Sequence, residues 1–484
     1  MTHASELPRS MPEAQGIASS TIHSFVDALE QGHLGVHSFI LVRNGHIVAD
    51  GWWHPYASHL PHMLFSLSKS FTSTAIGLAI AEGRLSLDDP ILSFFPSYVT
   101  AEIRDTMGSL LVRHLLSMST GHAEDTFPAM VRSSDGDWVR TFLELPITYP
   151  PGTHFLYNTG ASFMLSAILQ ALTGQTLLDY LQPRLFEPLL MAQPVWESNP
   201  HGINLGGTGL RLTTMDVAKF GQLYLQRGLW HGHRIVPEAW IEEATSMQIA
   251  SGNDPNSDWT QGYGFQFWRC RHQAYRGDGA FGQFCIVLPQ QQAVLAMTSG
   301  TYEMQGILNV VWDRLLPGLH TQPLPERADE AQTLKERLAH LSLPLPEALA
   351  AEPAIAAEVS GRSIHLEANT LHLKEIAFTF NEDAATFRMQ DDRGAHHVIT
   401  CGRTDWRIGE SPLRHNENRP VPIAAHGGWR DEQTFVMTWQ YIETPFRRII
   451  TVEFHGDHVE LSARPDLSFR EIESEQVQGH INFF

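Results

Sequence analysis

The sequence predicts an α+β protein: one antiparallel sheet flanked by helices and interrupted by an all-helical insertion, then a smaller antiparallel β-barrel or sandwich. Three observations carry this. Short apolar runs open the chain and return after a long helical stretch, a Pro-rich segment then breaks the texture, and beyond it apolar residues recur with a period of two.

The first runs, 38–42 (Ser-Phe-Ile-Leu-Val) and 46–50 (His-Ile-Val-Ala-Asp), are joined by Arg43-Asn44-Gly45. Asn-Gly accepts the positive φ angles of a tight hairpin, so two paired strands are expected. Helices are expected over 66–82, closed by Gly83; around 112–117; over 160–172, ended by Thr173-Gly174; and over 214–227, ended by Gly228. Strands return at 263–269, 283–288 and 293–298, and 307–316 reads as a closing helix. Pro317, Pro323, Pro325, Pro344, Pro346 and Pro353 frame a short helix near 331–341, the mark of a linker. Period-two runs follow at 378–380, 386–389, 398–401, 434–439, 448–454 and 459–462, between turns such as Asn-Glu-Asp and His-Gly-Asp. The expected domains are therefore 10–318, a linker over 319–354 and an all-β domain over 355–484, with Trp406, Trp429, Trp439 and Tyr441 in the barrel core.

With 484 residues, 43% of them hydrophobic and 18% charged, the chain has the balance of a globular protein. Its 33 Lys and Arg against 53 Asp and Glu leave a formal charge of −20, which repels phosphate backbones and anionic lipid, so neither nucleic acid nor a membrane is an expected partner. The segment 63–81 is long and apolar enough to consider as a membrane span, but its Ser and Thr residues fit a buried helix better. Cys270, Cys285 and Cys401 form neither a disulfide framework nor a CxxC pair, and His231-Gly232-His233 lacks an HExxH or acidic partner, so no metal is expected. The N-terminal Met-Thr-His-Ala-Ser-Glu has no basic patch followed by an apolar core, and a cytoplasmic location is expected.

Chemistry concentrates at Phe65-Ser66-Leu67-Ser68-Lys69, a Ser-x-x-Lys at the start of a helix. Residues three apart share a helical face, so the Lys69 amine can sit beside the Ser66 hydroxyl. Unpaired N–H groups of a first helical turn favour negative charge near Ser66. Lysine can lose its proton when buried and arginine cannot, so Lys69 can serve as a base. The chain has four lysines, Lys69, Lys219, Lys335 and Lys374, and Lys69 is the one charge within 63–81. An ammonium there is costly to bury unless it has hydrogen-bond partners or becomes neutral; the competing reading is a lysine that snorkels from a helix end. Two further elements follow. The turn Pro150-Pro151-Gly152-Thr153-His154-Phe155-Leu156-Tyr157-Asn158-Thr159-Gly160 delivers Tyr157 just before a helix, and Gly277-Asp278-Gly279-Ala280-Phe281-Gly282 precedes the strand expected at 284–288. Residues 277–282 also spell G-x-G-x-x-G, but they lead into a strand and not into the helix that a dinucleotide site needs. No cofactor is expected.

With these three elements in this order, the chain resembles the serine β-lactamase and penicillin-binding-protein superfamily, in its class C β-lactamase, esterase and D-aminopeptidase branch. Segments 114–122, 206–210 and 262–265 are similar as well, and the likeness spans residues 10–318. The resemblance implies a β-lactamase-like fold, with Ser66 as nucleophile, Lys69 as its proton partner and Tyr157 as base or proton relay. It also implies an oxyanion hole from the backbone N–H groups of Ser66 and Ala280, because a tetrahedral acyl intermediate needs two fixed donors. Asn158, Thr159, Gly277, Asp278 and Gly279 fall where the family binds substrate. Two departures bear on that substrate. The family's Tyr-x-Asn is Tyr157-Asn158-Thr159 here, so either Thr159 takes the amide's place or Asn158 reaches the site from a shifted turn. The family's Lys-Thr-Gly or His-Thr-Gly is Gly277-Asp278-Gly279, without the cation or hydroxyl that helps hold a β-lactam carboxylate, and Asp278 would repel that carboxylate unless Arg276 neutralises it. Similar D-aminopeptidases append lipocalin-like barrels, which implies a lid or homo-oligomer role for the C-terminal domain. The expectation is a cofactor-free serine hydrolase that cleaves a small ester, amide or short peptide through an acyl-enzyme. A β-lactamase or penicillin-binding enzyme and a non-catalytic binding scaffold are the alternatives.

Overall fold

Asn44 and Gly45, with φ of 49° and 78°, make the tight turn between β1 (Val36–Arg43) and β2 (His46–Trp52). The computed structural model describes residues 7–191, 193–349, 351–411, 421–469, 471 and 473–481. Strands β3 (Trp268–Arg269), β4 (Tyr275–Gly279), β5 (Gln283–Leu288) and β6 (Ala293–Ser299) complete a six-stranded sheet in the order β2-β1-β6-β5-β4-β3. The two ends of the domain meet where β1 runs antiparallel to β6, with Val42 opposite Val294.

The helices that matter for the site are α1 (Ser19–Gln31), α2 (Ser68–Ala81), α3 (Thr159–Thr173) and α4 (Thr214–Leu225). Every residue of β1 is buried because both faces of the sheet are covered. Phe39 meets Phe25 of α1 edge to face at 6.0 Å, and its neighbour Ser38 points the other way, its Oγ 2.6 Å from Thr214 Oγ1 of α4. Helix α2 is buried along nearly its whole length although it is rich in hydroxyls. Four of the five find a partner: Ser68 Oγ donates to Phe65 O (2.6 Å), Ser70 Oγ to Gln266 O (2.9 Å) and Thr72 Oγ1 to Gly206 O (2.7 Å), while Thr74 Oγ1 bonds the Tyr224 hydroxyl (2.7 Å); Ser73 Oγ is buried without one. Among the described residues no single helix is long and apolar enough to cross a membrane.

Some elements differ from expectation. The strand expected over 263–269 is reduced to Trp268–Arg269, with Tyr263 in single bridges to Ile249 and Trp268. The sequence reading does not anticipate β4 as a strand, because Tyr-Arg-Gly-Asp-Gly has no apolar alternation. The helix expected over 307–316 divides into an α-helix at Met304–Val310 and a wider π turn at Val311–Leu315.

The chain forms two units: one takes residues up to Gly51 and Pro61–His340, the other Trp52–Leu60 and the chain from Leu341 onward. This division falls inside the segment expected as a linker. The helix Ala328–Ala339 goes with the first unit, where Arg337 Nε lies 3.3 Å from Asp27 of α1. Trp52–Leu60 goes with the second. There the Tyr56 hydroxyl donates to Thr444 O at 2.7 Å, the His54 amide donates to Leu341 O at 2.9 Å, and Leu60 packs against Trp406, Ala424 and Ile442.

Within the second unit, β7 (Ser363–Leu366), β8 (Leu373–Phe380), β9 (Ala384–Asp391), β10 (His396–Gly402), β11 (Arg407–Ser411), β12 (Val421–Trp429), β13 (Thr434–Tyr441), β14 (Arg447–His455), β15 (His458–Pro465) and β16 (Glu475–Ile481) form one sheet in the order β10-β9-β8-β7-β16-β15-β14-β13-β12-β11. Gly402 of β10 pairs with His426 of β12, closing nine strands into a barrel and leaving β11 outside the ring on β12. Aromatic side chains fill it: Phe378 lies 4.8 Å from Phe387 and 5.7 Å from Phe435, and Trp429 lies 5.3 Å from Phe435. Trp406, Trp429, Trp439 and Tyr441 are all buried.

Candidate active site

Ser66 sits in a tight helical turn, Phe65–Leu67, that leads into α2. Lys69, one turn on, is 1% exposed. Its Nζ donates to Ser66 Oγ at 3.0 Å, to Thr159 Oγ1 at 3.3 Å and to Gly207 O at 2.8 Å. An ammonium has three donors, and all three have acceptors, which answers the cost of burying it. Gly207 is what allows this approach: a Cβ there would lie 2.8 Å from Thr159 Cγ2. Burial pulls the Lys69 amine down to about 7, against the opposing pull of Asp125 and Asp278.

Tyr157 is half-buried, with the Lys69 Nζ 4.9 Å from its ring centroid. The ring stacks on Trp268 at 5.3 Å and meets Tyr263 edge to face at 6.1 Å. Burial raises the phenol well above its ordinary value; the neighbouring Ser66 hydroxyl lowers it, and Asp278 and Asp125 raise it further. Ser66, Lys69, Tyr157 and Thr159 therefore converge on one point.

The two residues after Tyr157 have different roles. Asn158 is fully buried and turned into the protein, where its Oδ1 accepts from Thr126 Oγ1 (2.8 Å), Thr126 N (3.2 Å) and Ala161 N (3.3 Å). It is the N-cap of α3, and its expected contact with substrate is corrected. Thr159 is the residue that reaches Lys69.

On the opposite side, β4 brings up Gly277-Asp278-Gly279. A Cβ on Gly277 would lie 2.2 Å from Leu67 Cδ1, so only glycine lets this strand lie against the start of α2. Asp278 is buried, and both Nε and Nη2 of Arg276 lie 2.7 Å from its Oδ2. Burial raises the Asp278 carboxyl, while Arg276 and Lys69 lower it. Arg276 is itself held by Asp258 O (2.8 Å), Cys270 Sγ (3.1 Å) and the Trp259 ring, 4.6 Å away. Ala280 follows β4 in the turn to β5, its carbonyl accepting from Gln283 Nε2 at 2.9 Å. Phe65, just before Ser66, and Phe281, just after Ala280, both take left-handed backbone (φ 47° and 64°), and their rings meet at 5.5 Å. Such conformations are costly for bulky residues, so the packing of one ring on the other helps to hold both turns.

Sequence reasoning did not single out Asp125, Trp268 or Tyr263. Asp125, one of 53 acidic residues, stands in no motif. Its Oδ1 accepts from the amide of Thr159 at 2.9 Å.

A serine paired with a buried lysine at the start of the central helix, beside an antiparallel sheet, defines a protein of the serine β-lactamase and penicillin-binding type. A family model described as Beta-lactamase matches residues 21–306, more than half of the sequence, and the chain belongs to that family of serine hydrolases. The 6-aminohexanoate-dimer hydrolase of Paenarthrobacter ureafaciens is 24% identical over 283 residues, 54% of this chain and 72% of the relative. Penicillin-binding protein 4 of Amycolatopsis lactamdurans is 24% identical over 298 residues, 54% of this chain and 77% of the relative. The solved structure of a provisionally assigned 6-aminohexanoate-dimer hydrolase from Bacillus anthracis superimposes with a TM-score of 0.55 at 21% identity, over 66% of this chain and 89% of that one, which speaks for the fold.

Proposed function

We propose that the protein hydrolyses a small ester or amide through an acyl-enzyme on Ser66. The observation that carries this is the Lys69 amine, buried and 3.0 Å from Ser66 Oγ. With its proton affinity drawn down to about 7, a large fraction is neutral at physiological pH. A neutral amine keeps two N–H donors, for Gly207 O and Thr159 Oγ1, and turns its lone pair to Ser66 Oγ. In this reading Lys69 takes the Ser66 proton as the oxygen attacks the carbonyl. Tyr157, held as a phenol by burial, relays a proton to the departing group. The N–H groups of Ser66 and Ala280 receive the oxyanion, and water then releases the acyl group.

The Asp278 carboxylate is paired with Arg276, but Asp125 places negative charge near Lys69 and Tyr157, which disfavours a substrate carboxylate at the reacting carbonyl. This supports esters and amides over β-lactams, and the relative named for the 6-aminohexanoate dimer keeps amides among the candidates. The test is hydrolysis of short p-nitrophenyl esters by wild type and Ser66→Ala at matched folded concentration, with a chromogenic cephalosporin alongside. The rate is expected to fall by roughly 10³-fold or more in the variant, with the ester turned over faster than the β-lactam. Equal rates in the two proteins would overturn the reading, and a faster β-lactam would overturn the substrate class.

A further inference from the structure

Asp125 lies just before the short helix Phe127–Val131, half-buried. Its Oδ1 accepts from the amides of Phe127 (3.0 Å), Thr159 (2.9 Å) and Gly160 (3.5 Å). The last two open α3, directly after Tyr157 and Asn158. Thr159 Oγ1 in turn accepts from Lys69 Nζ, so a chain of two hydrogen bonds and one residue links the carboxylate to the amine. Capping alone does not call for a charge here: Asn158 caps the same helix with a neutral amide, and a hydroxyl would serve as well. The charged and titratable groups facing Lys69 are Tyr157, Asp125 and Asp278. Asp278 is paired with Arg276, whereas among the described residues Asp125 makes no ion pair.

We propose that Asp125 is a positioning residue of this site: its carboxylate pins the 157–159 turn and supplies the uncancelled negative charge that Lys69 and Tyr157 work against. This rests on the Ser66 hydrolase reading. Because that charge acts in the same direction on both groups, removing it moves the ascending limb of the pH profile to lower pH whichever of the two dominates the limb.

The experiment is kcat/KM against pH for p-nitrophenyl butyrate in wild type, Asp125→Asn, Asp125→Ser and Ser66→Ala, with melting curves for each. Both neutral variants keep an acceptor for the Thr159 amide. The midpoint is expected to fall by about half a pH unit or more in each, so that on the acid side each variant is roughly threefold or more faster relative to its own plateau. A wild-type midpoint in either variant, with Ser66→Ala inactive, overturns the proposal and leaves the hydrolase reading intact. Failure of both variants to fold overturns it too, since Asp125 would then be structural. Wild-type rates in Ser66→Ala sink the hydrolase reading itself and this proposal with it.

Discussion

In the first unit Lys69, Arg276, Asp278, Asp258 and the His37–His62 pair are all buried, each held by polar partners. The described part of the barrel buries a different set: Trp429, Trp439, Phe378, Phe435 and Phe454, with Ser411, His426, Thr434, Thr438 and Gln440 as its buried polar residues and no buried Asp, Glu, Lys or Arg. Burying charge costs stability even when it is well paired, and burying aromatic surface gains it. A unit that keeps several charges inside therefore holds them for something other than stability. The contrast assigns chemistry to the first unit and packing to the second.

The strongest way to break this comparison is Trp429→Ala. Its side chain is fully buried among Phe380, Phe435 and Phe454, and the truncation should cost about 3–5 kcal/mol in denaturant unfolding. The rate per folded molecule should hold; a parallel fall in kcat would give the barrel a part in the chemistry.

Acid should act next, and on the first unit. His62 Nδ1 faces Met63 O at 3.0 Å and so carries its proton there, which leaves Nε2 to accept from His37 Nδ1 at 3.2 Å. Burial draws His62 down from 6.5 to about 4, so the unfolded chain binds a proton first as pH falls. The stabilising difference is whole above pH 6.5 and is lost as pH falls through 4, by about 3 kcal/mol at the limit. Burial draws His122 down to about 4 as well, so urea midpoints across that window should fall in wild type and fall less steeply in His62→Gln; an unchanged slope in the variant would refute the assignment.

The smallest effect sharpens the contrast. Lys69→Met should abolish hydrolysis yet raise stability at neutral pH by about 2 kcal/mol, because the ammonium's desolvation is removed. Lys69 titrates at about 7 when folded and 10.5 when unfolded, so wild-type stability rises with pH between those values. The gain in the variant should therefore shrink toward pH 10.5. A destabilised Lys69→Met at neutral pH would show that Lys69 is held for packing.

What the sequence made legible was local. Ser-x-x-Lys states its own geometry because one helical turn brings Ser66 and Lys69 together, and Asn44-Gly45 states the hairpin because a two-residue turn admits few conformations. Whatever depended on distant partners stayed hidden. Asn158 and Thr159 are adjacent and both polar; which one faces Lys69 is decided by Thr126 and Ala161, whose amides capture Asn158. β4 carries glycines where apolar residues would announce a strand, because α2 lies against it. Asp125 acts on a turn some thirty residues away in sequence, through hydrogen bonds that no spacing rule describes.

The excursion of Trp52–Leu60 bears on how the chain is made. A ribosome delivers these residues well before the groups that receive them, Leu341, Thr444 and the Trp406 cluster. The passage from β2 to the Ser66 turn therefore waits, with Trp52–Leu60 undocked, until most of the barrel has been translated. The chain passes between the units three times, at Gly51/Trp52, Leu60/Pro61 and His340/Leu341, so a single cut at His340 leaves them joined twice. Expressing residues 1–340 alone would not yield a smaller enzyme with an optional part removed; it would strand Trp53, Pro55 and Tyr56, which are buried in the whole chain, a few residues upstream of the nucleophile.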